Sequence, residues 1–457
     1  MYSNVLLACL VLSLIPLPAS SQHPTQPSKP AVQQPRSDQH SAQQMSTGMT
    51  GPLGIPMARD ASGTAWLPDS TPVYALHGMA GAWSLMLHGN VFAQYLYEGG
   101  DRGDDQFGSI NWIMGMAHRE IGRGMLMLRA MMSAEPSTVG ECGYPDLLAT
   151  GETCNGGQII RDRQHPHDLF MELAANYQRA LTDGVALQLY GGPVGEPALG
   201  PPAYPHRLSA LSNPIAPIGH HWLDATHISF GVATAGLYGR TWKLEGSVFN
   251  GREPDENRYD LDLDALDSYS GRVWLSPSPQ WMLQASAGKL NEVEPGRGGG
   301  PRVDQTRMTA SATYHRPMMS GDWATTAAWG RNKEADHATN AALLESSVTF
   351  ATANTLFMRG ETAGKTGEDL DINDPSLADV TFTVRTVSLG YVRDLADLGS
   401  FVLRLGARGA LNMVPSDLER FYGSRAPMGF GVFVNLRPRA MTMVSMGGMP
   451  MQHRGTR

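Results

Sequence analysis

From about Trp83 to Leu436 the chain is written in alternation, and this limits its fold more than any other feature. Trp83, Leu85, Leu87, Val91, Ala93, Tyr95 and Tyr97 take every second position, with Ser84, His88, Asn90 and Gln94 between them. A period of two belongs to a strand with one apolar face. The clearest unit is His227–Asn250, two strands around Tyr238-Gly239-Arg240. In its first half Ile228, Phe230, Val232 and Tyr238 share a face; in its second, Trp242, Leu244 and Val248 alternate with Lys243 and Glu245. The same rhythm recurs in Phe107–His118, where Ile110, Trp112, Met114 and Met116 lie opposite Ser109, Asn111 and Gly115.

Connections alternate between short and long. Thr182-Asp183-Gly184, Ser276–Pro279 and Ala351–Asn354 are short, whereas 134–169, 193–226, 251–267, 362–379 and 411–427 are long and polar or rich in Gly and Pro. About sixteen strands result, an even number within the range of outer-membrane barrels. A propeller would show a shared motif every ~40–50 residues, and none recurs. Arg272, Gln284, Arg307, Thr309, Ser311, Glu345, Arg359, Glu361, Arg385, Arg404 and Arg408 lie opposite apolar faces. A closed sheet this wide is too broad for wall side chains to fill, so a polar interior is expected to hold water. The fold class is therefore all-β: a transmembrane antiparallel β-barrel of about sixteen strands with short periplasmic turns and long extracellular loops. In the hairpin this places Ile228, Phe230, Val232, Trp242, Leu244 and Val248 on lipid and Lys243 and Glu245 in the lumen.

Val5–Leu17 is an apolar run too short to span a bilayer as a helix. Pro18-Ala19-Ser20-Ser21 follows, so residues 1–21 read as a signal peptide. Residues 22–80 are expected to be a disordered His/Met/Pro-rich segment and lead-in, 81–438 the barrel, and 439–457 a Met-rich periplasmic tail. Beyond the leader, Cys142 and Cys154 are an even pair in an exported chain, which predicts a disulfide. Charged residues are 17% of the chain and the net charge is −8, without a long basic run, which excludes a nucleic-acid partner. The expected partners are outer-membrane lipid, the outer-membrane assembly machinery and a small solute or metal ion.

Two histidine clusters could carry chemistry. In Arg161–Asp168, His165, His167 and Asp168 offer imidazoles and a carboxylate, ligands for zinc, copper or nickel. The structural alternative is a plug whose Arg161, Asp162 and Arg163 pair with the barrel wall, and ion-pair networks gather the same residue types. His220, His221 and His227, with Asp224, form the second cluster. The topology puts both at the extracellular mouth, where they could form one site with His206. The alternative there is ring packing at the membrane interface. A third group, Met441, Met443, Met446, Met449, Met451 and His453, supplies soft thioethers suited to Cu(I). No cofactor is required, and copper or another transition metal is the candidate. Catalytic signatures such as G-x-S-x-G, H-E-x-x-H or a phosphate loop are missing. The leading expectation is a barrel that binds or passes a small solute, linked to metal handling. A His/Asp enzyme at the mouth and a structural or adhesive surface barrel are the alternatives.

The motifs GPLGIPM at 51–57, DRGDDQFGSINWIMGMA at 101–117, CGYPDLLATGE at 142–152, DRQHPHDL at 162–169, GEPALGP at 195–201, HHWLDATHI at 220–228 and FNGREPDE at 249–256 carry a resemblance. Together they resemble an uncharacterised family of Gram-negative outer-membrane β-barrel proteins. The His/Met-rich ends are loosely similar to those of copper-resistance outer-membrane protein B. The resemblance implies export and a barrel, and leaves the mechanism open.

Overall fold

The computed structural model describes residues 50–296, 300–335 and 337–440. The signal peptide, the segment to residue 49 and the Met-rich tail from Met441 lie outside the described residues.

The strands, in chain order, are β1 (Leu76–Ala80), β2 (Trp83–Glu98), β3 (Asp105–Ile121), β4 (Gly124–Met132), β5 (Tyr144–Cys154), β6 (Gln158–Gln164), β7 (Phe170–Ala180), β8 (Ala186–Gly195), β9 (Ser229–Tyr238), β10 (Trp242–Phe249), β11 (Ser268–Ser278), β12 (Trp281–Gly296), β13 (Gly300–Met318), β14 (Gly321–Glu334), β15 (His337–Phe350), β16 (Asn354–Thr366), β17 (Thr381–Asp397), β18 (Phe401–Met413) and β19 (Met428–Pro438). β5 and β6 pair only with each other. The other long strands form a closed 16-strand antiparallel barrel. Closure is between β19 and β2, with Phe430 opposite Tyr97 and Leu436 opposite Val91. Below that seam β1 pairs with the start of β2, Leu76 opposite Leu87, so the staggered edge of β2 is not left bare.

The outer surface is what lipid requires. Leu85, Leu87, Ile113, Leu128, Leu189, Leu237, Leu244, Val273, Leu344, Leu389 and Val432 all point outward and are exposed. Trp242 and Trp281 open β10 and β12, Trp323 is the third residue of β14, and together they form an aromatic girdle at the short-turn end.

The lumen is not a wet pore. Three segments fold into it. Residues 51–75 lie against the wall near the short turns. Arg129 Nη1 on β4 donates to the carbonyls of Ala61 (3.1 Å) and Gly63 (2.6 Å), and Arg272 on β11 donates to Thr64 Oγ1 (3.0 Å). Trp66 is buried edge-on to Tyr238, with the Lys243 ammonium 4.6 Å from its ring centre. Loop 196–228 crosses the middle. Its Arg207 is fully buried between Asp224 (2.7 Å) and Glu345 on β15 (2.6 Å), and Asn90 donates to the carbonyl of Leu211 (3.0 Å). The β5–β6 hairpin caps the loop end, where Lys365 donates to the carbonyl of Leu148 (2.7 Å).

Besides the expected water-holding interior, the structure corrects the facing of several residues. Phe230, Val232 and Tyr238 face inward, while Ala233, Ala235 and Leu237 meet lipid. Ile228 also turns inward, and Ile110, Trp112, Met114 and Met116 line the lumen. The reason is physical: the inserted segments offer apolar partners inside, so Val232 packs with Tyr190, Leu199, Phe249, Leu290 and Val293, and an apolar residue no longer identifies the lipid side. Arg385 points outward, at the loop end of β17, away from the polar lumen residues Thr386 and Ser388.

Candidate metal centre

Two loops and one hairpin, far apart in sequence, converge at the loop end. The hairpin is closed by the Cys142–Cys154 disulfide and carries Glu152 at the end of β5. Gly151 and Glu152 have φ of +127° and +65°. A Cβ on Gly151 would sit 2.8 Å from Cε1 and 3.0 Å from Nε2 of His221, so only glycine lets the hairpin approach this imidazole. The chain then passes through His165 and His167 before entering β7. A short helical turn, His220–Leu223, presents His220 and His221, and His227 follows on the next turn. Loop 250–267 adds Glu253 and Arg258.

The two sequence clusters therefore become one. His165 lies 6.2 Å from His220 and 5.7 Å from His221, ring centre to ring centre. His227 lies 5.3 Å from His167 and 5.2 Å from His220. A cavity of about 30 Å³ is lined by Glu152, His165, His167, Asp168, His220, His227 and Glu253, among others. That volume holds one water-sized species.

The hydrogen bonds set the tautomers. Nδ1 of His227 donates to the carbonyl of Asp224 (2.7 Å) and Nδ1 of His165 to that of Pro166 (3.2 Å). Nδ1 of His220 meets the Asp224 carboxylate (2.8 Å), that of His221 meets Glu253 (3.1 Å), and that of His167 meets Glu135 (3.0 Å). A neutral imidazole that donates from Nδ1 keeps its lone pair on Nε2. This is how metal-binding histidines are held by their outer partners. Nε2 of His165, His221 and His227 is buried and makes no hydrogen bond. His165 Nε2 instead faces Glu152 Oε1 at 3.2 Å. One donor atom from each of Glu152, His165 and His221 lies within 4.8 Å of the other two. A single ion could touch all three after side-chain shifts of under about 1 Å.

Electrostatics keep the His165 and His227 imidazoles neutral. Burial, then Arg258 and the neighbouring histidines, holds His165 well below the usual imidazole range, and burial with His220 and His167 does the same for His227. His167 differs: burial opposes its charge, but Glu135 outweighs burial and raises it. Burial lifts Asp168 to about 7 against the pull of Arg258, and raises Glu152 as well. Arg258 pairs with Glu152 Oε2 and lies 3.5 Å from Asp168, fixing the carboxylate that faces His165.

The remaining candidates sit elsewhere. His206 packs on Trp112 (4.9 Å) and near His88 (5.8 Å), outside the chamber. Arg161 is an exposed partner of Asp371, Asp162 is buried against Arg102 (2.6 Å), and Arg163 reaches Asp104 (2.5 Å), so these three tie the hairpin to neighbouring loops. Met441, Met443, Met446, Met449, Met451 and His453 are outside the described residues. Sequence reasoning missed Glu135, Glu152, Glu253 and Arg258. CGYPDLLATGE and FNGREPDE carry Glu152 and Glu253, yet nothing in their spacing ties them to the histidines.

A closed antiparallel barrel with an apolar belt, aromatic girdle, short turns at one end and long loops at the other is an outer-membrane β-barrel of the Gram-negative type, here with a filled lumen. No family model and no curated protein matches the sequence. Among solved structures, it is similar to Salmonella typhi OmpF in complex with daunomycin (TM-score 0.48, 9% identity, 79% of this chain and 100% of that one). It is also similar to the outer membrane channel DcaP of Acinetobacter baumannii (TM-score 0.46, 10% identity, 80% and 100%). A third similar structure is the anion-selective porin from Comamonas acidovorans (TM-score 0.44, 11% identity, 78% and 99%).

Proposed function

We propose that this barrel captures a borderline transition-metal ion, of the Zn(II) or Cu(II) class, at its extracellular mouth. Glu152, His165 and His221 are the ligands, Glu253 orients His221, and Arg258 orients Glu152. One observation carries the reading. An imidazole lone pair and a carboxylate oxygen face each other across 3.2 Å in a buried site. Two acceptors repel unless a cation or proton lies between them, and two imidazoles with one carboxylate match zinc's preferred donors. The nearby carboxylates Asp224 and Glu253, held ionised beside Arg207 and His221, add negative charge at the chamber.

The test is calorimetric titration of Zn(II) into the detergent-folded full chain. One ion should bind per barrel, and His165→Gln and His221→Gln should each weaken it at least about tenfold, while His206→Gln should leave it unchanged. Binding by the two chamber variants equal to wild type would end this reading.

A further inference from the structure

A second set of metal-type donors lies deeper in the barrel. β2, β3 and β4 turn Met86, Met114, Met116, Met125, Met127 and Met131 toward the lumen. Among the described residues, the wall strands after β7 turn only Met282 inward. The apolar sector of β16–β19 is built differently, from Phe357, Val392 and Phe433. Filling the barrel therefore does not by itself call for methionine.

The register arranges these sulfurs with imidazoles. His88 pairs across to Met114, and Met114 to Met131. One rung lower, His77 pairs to Met86, Met86 to Met116 and Met116 to the buried Arg129, whose charge is met by Glu172 and whose Nε donates to Met127 Sδ (3.2 Å), so Met127 is already engaged. Directly paired side chains lie ~4.5–5.5 Å apart at Cβ, and successive rungs are ~7 Å apart along a strand. His88 Nε2 is 3.0 Å from Met114 Sδ. His206 packs over His88 and Trp112, with its Nε2 buried and without a hydrogen bond. Met114 and Met131 are 1% and 3% exposed, so water cannot compete for their thioethers. At its upper end the cluster includes Ile228, which also lines the chamber above.

We infer that the rung of His88, Met114 and Met131, above Arg129, is a binding site for a soft monovalent d10 cation, Cu(I) or Ag(I). Thioethers and neutral imidazoles add no negative charge, which suits a monovalent soft ion and discriminates against hard divalent ions. At His88 the ion would bind Nε2 in place of the N–H that now faces Met114 Sδ, the proton moving to Nδ1 so that the imidazole stays neutral. The proposal does not depend on the chamber, whose donors are harder and lie outside this set.

The probe is Ag(I), titrated into the folded full chain and followed by silver-edge X-ray absorption. The background carries leucine at Met441, Met443, Met446, Met449 and Met451, so that tail sulfur is silent. This protein should still bind Ag(I) with sulfur neighbours. Adding Met86→Leu, Met114→Leu, Met116→Leu and Met131→Leu, changes that keep volume and apolarity, should lower Ag(I) affinity at least tenfold. The wall variant should keep the circular dichroism spectrum and the gel migration of the folded barrel, which shows that it is folded independently of any Zn(II) binding. No Ag(I) bound by the tail-silent protein, or equal affinity in the wall variant, overturns the inference. Loss of Zn(II) binding in His165→Gln with Ag(I) binding intact would separate the two sites.

Discussion

His165 Nε2 and Glu152 Oε1 face each other at 3.2 Å inside the loop end of a filled barrel, and while Glu152 is ionised and the histidine donates from Nδ1 to Pro166, neither offers the other a hydrogen-bond donor. The hairpin that brings Glu152 there is closed by Cys142–Cys154, two residues beyond it. Reducing the disulfide, or replacing both cysteines with serine, frees a strand end that the barrel wall does not hold. Zn(II) affinity should fall about tenfold, an effect comparable to losing an outer partner of a ligand. The barrel's own unfolding midpoint should stay in place, because β5 and β6 are not wall strands. Calorimetry with and without reductant checks the first half, and urea unfolding the second.

The buried cation at the centre of the lumen predicts a large stability effect. Arg207 neutralises Asp224 and Glu345, all three almost fully buried. Arg207→Met would leave Asp224 with His220 and Glu345 with Arg359 as their remaining charged partners, and the loss of the shared buried guanidinium should cost about 3 kcal/mol. The exposed pair Arg420–Asp374 is the control, and Arg420→Ala should change stability by under about 1 kcal/mol. Reversible urea unfolding of the barrel in lipid vesicles reads both.

The corrected orientation of β9 has its own signature. Ala235 faces lipid and Val232 faces the packed lumen. Ala235→Leu should be close to neutral, whereas Val232→Leu overpacks a filled site and should destabilise by about 1–3 kcal/mol. Equal effects of the two substitutions in the same unfolding assay would restore the inverted orientation.

The filled lumen predicts electrical silence. Residues 51–75 and loop 196–228 hold the wall through Arg129, Arg272 and Glu345. Planar bilayers containing the wild-type barrel should show no steady conductance of open-porin size. Steady large channels would show that these segments leave the lumen in a membrane.

Much of the barrel was legible in the chain, and the reasons for the failures are specific. The alternation in β2 and β10 identified both strands and faces, because Leu85, Leu244 and Val248 meet lipid while Asn90, Lys243 and Glu245 meet polar partners. It misassigned β9 and the Met114–Met116 face, because period-2 patterning reports two faces without saying which is lipid once the interior is also packed. The histidines of RDRQHPHD and HHWLDATH were visible as candidates and do converge. Glu152 and Glu253 were not, since a ligand contributed from a distant loop leaves no spacing to read. Which Nε2 atoms lack partners depends on hydrogen bonds to Pro166, Asp224 and Glu253 that only the folded loops create.

The most direct test of the metal-capture reading is the zinc K-edge absorption spectrum of the full-length barrel loaded with one equivalent of Zn(II). The account predicts a first shell of nitrogen and oxygen at ~2.0–2.2 Å with two imidazoles, lost in the His165→Gln/His221→Gln double variant. A shell without imidazole, or an identical spectrum from the double variant, would contradict it.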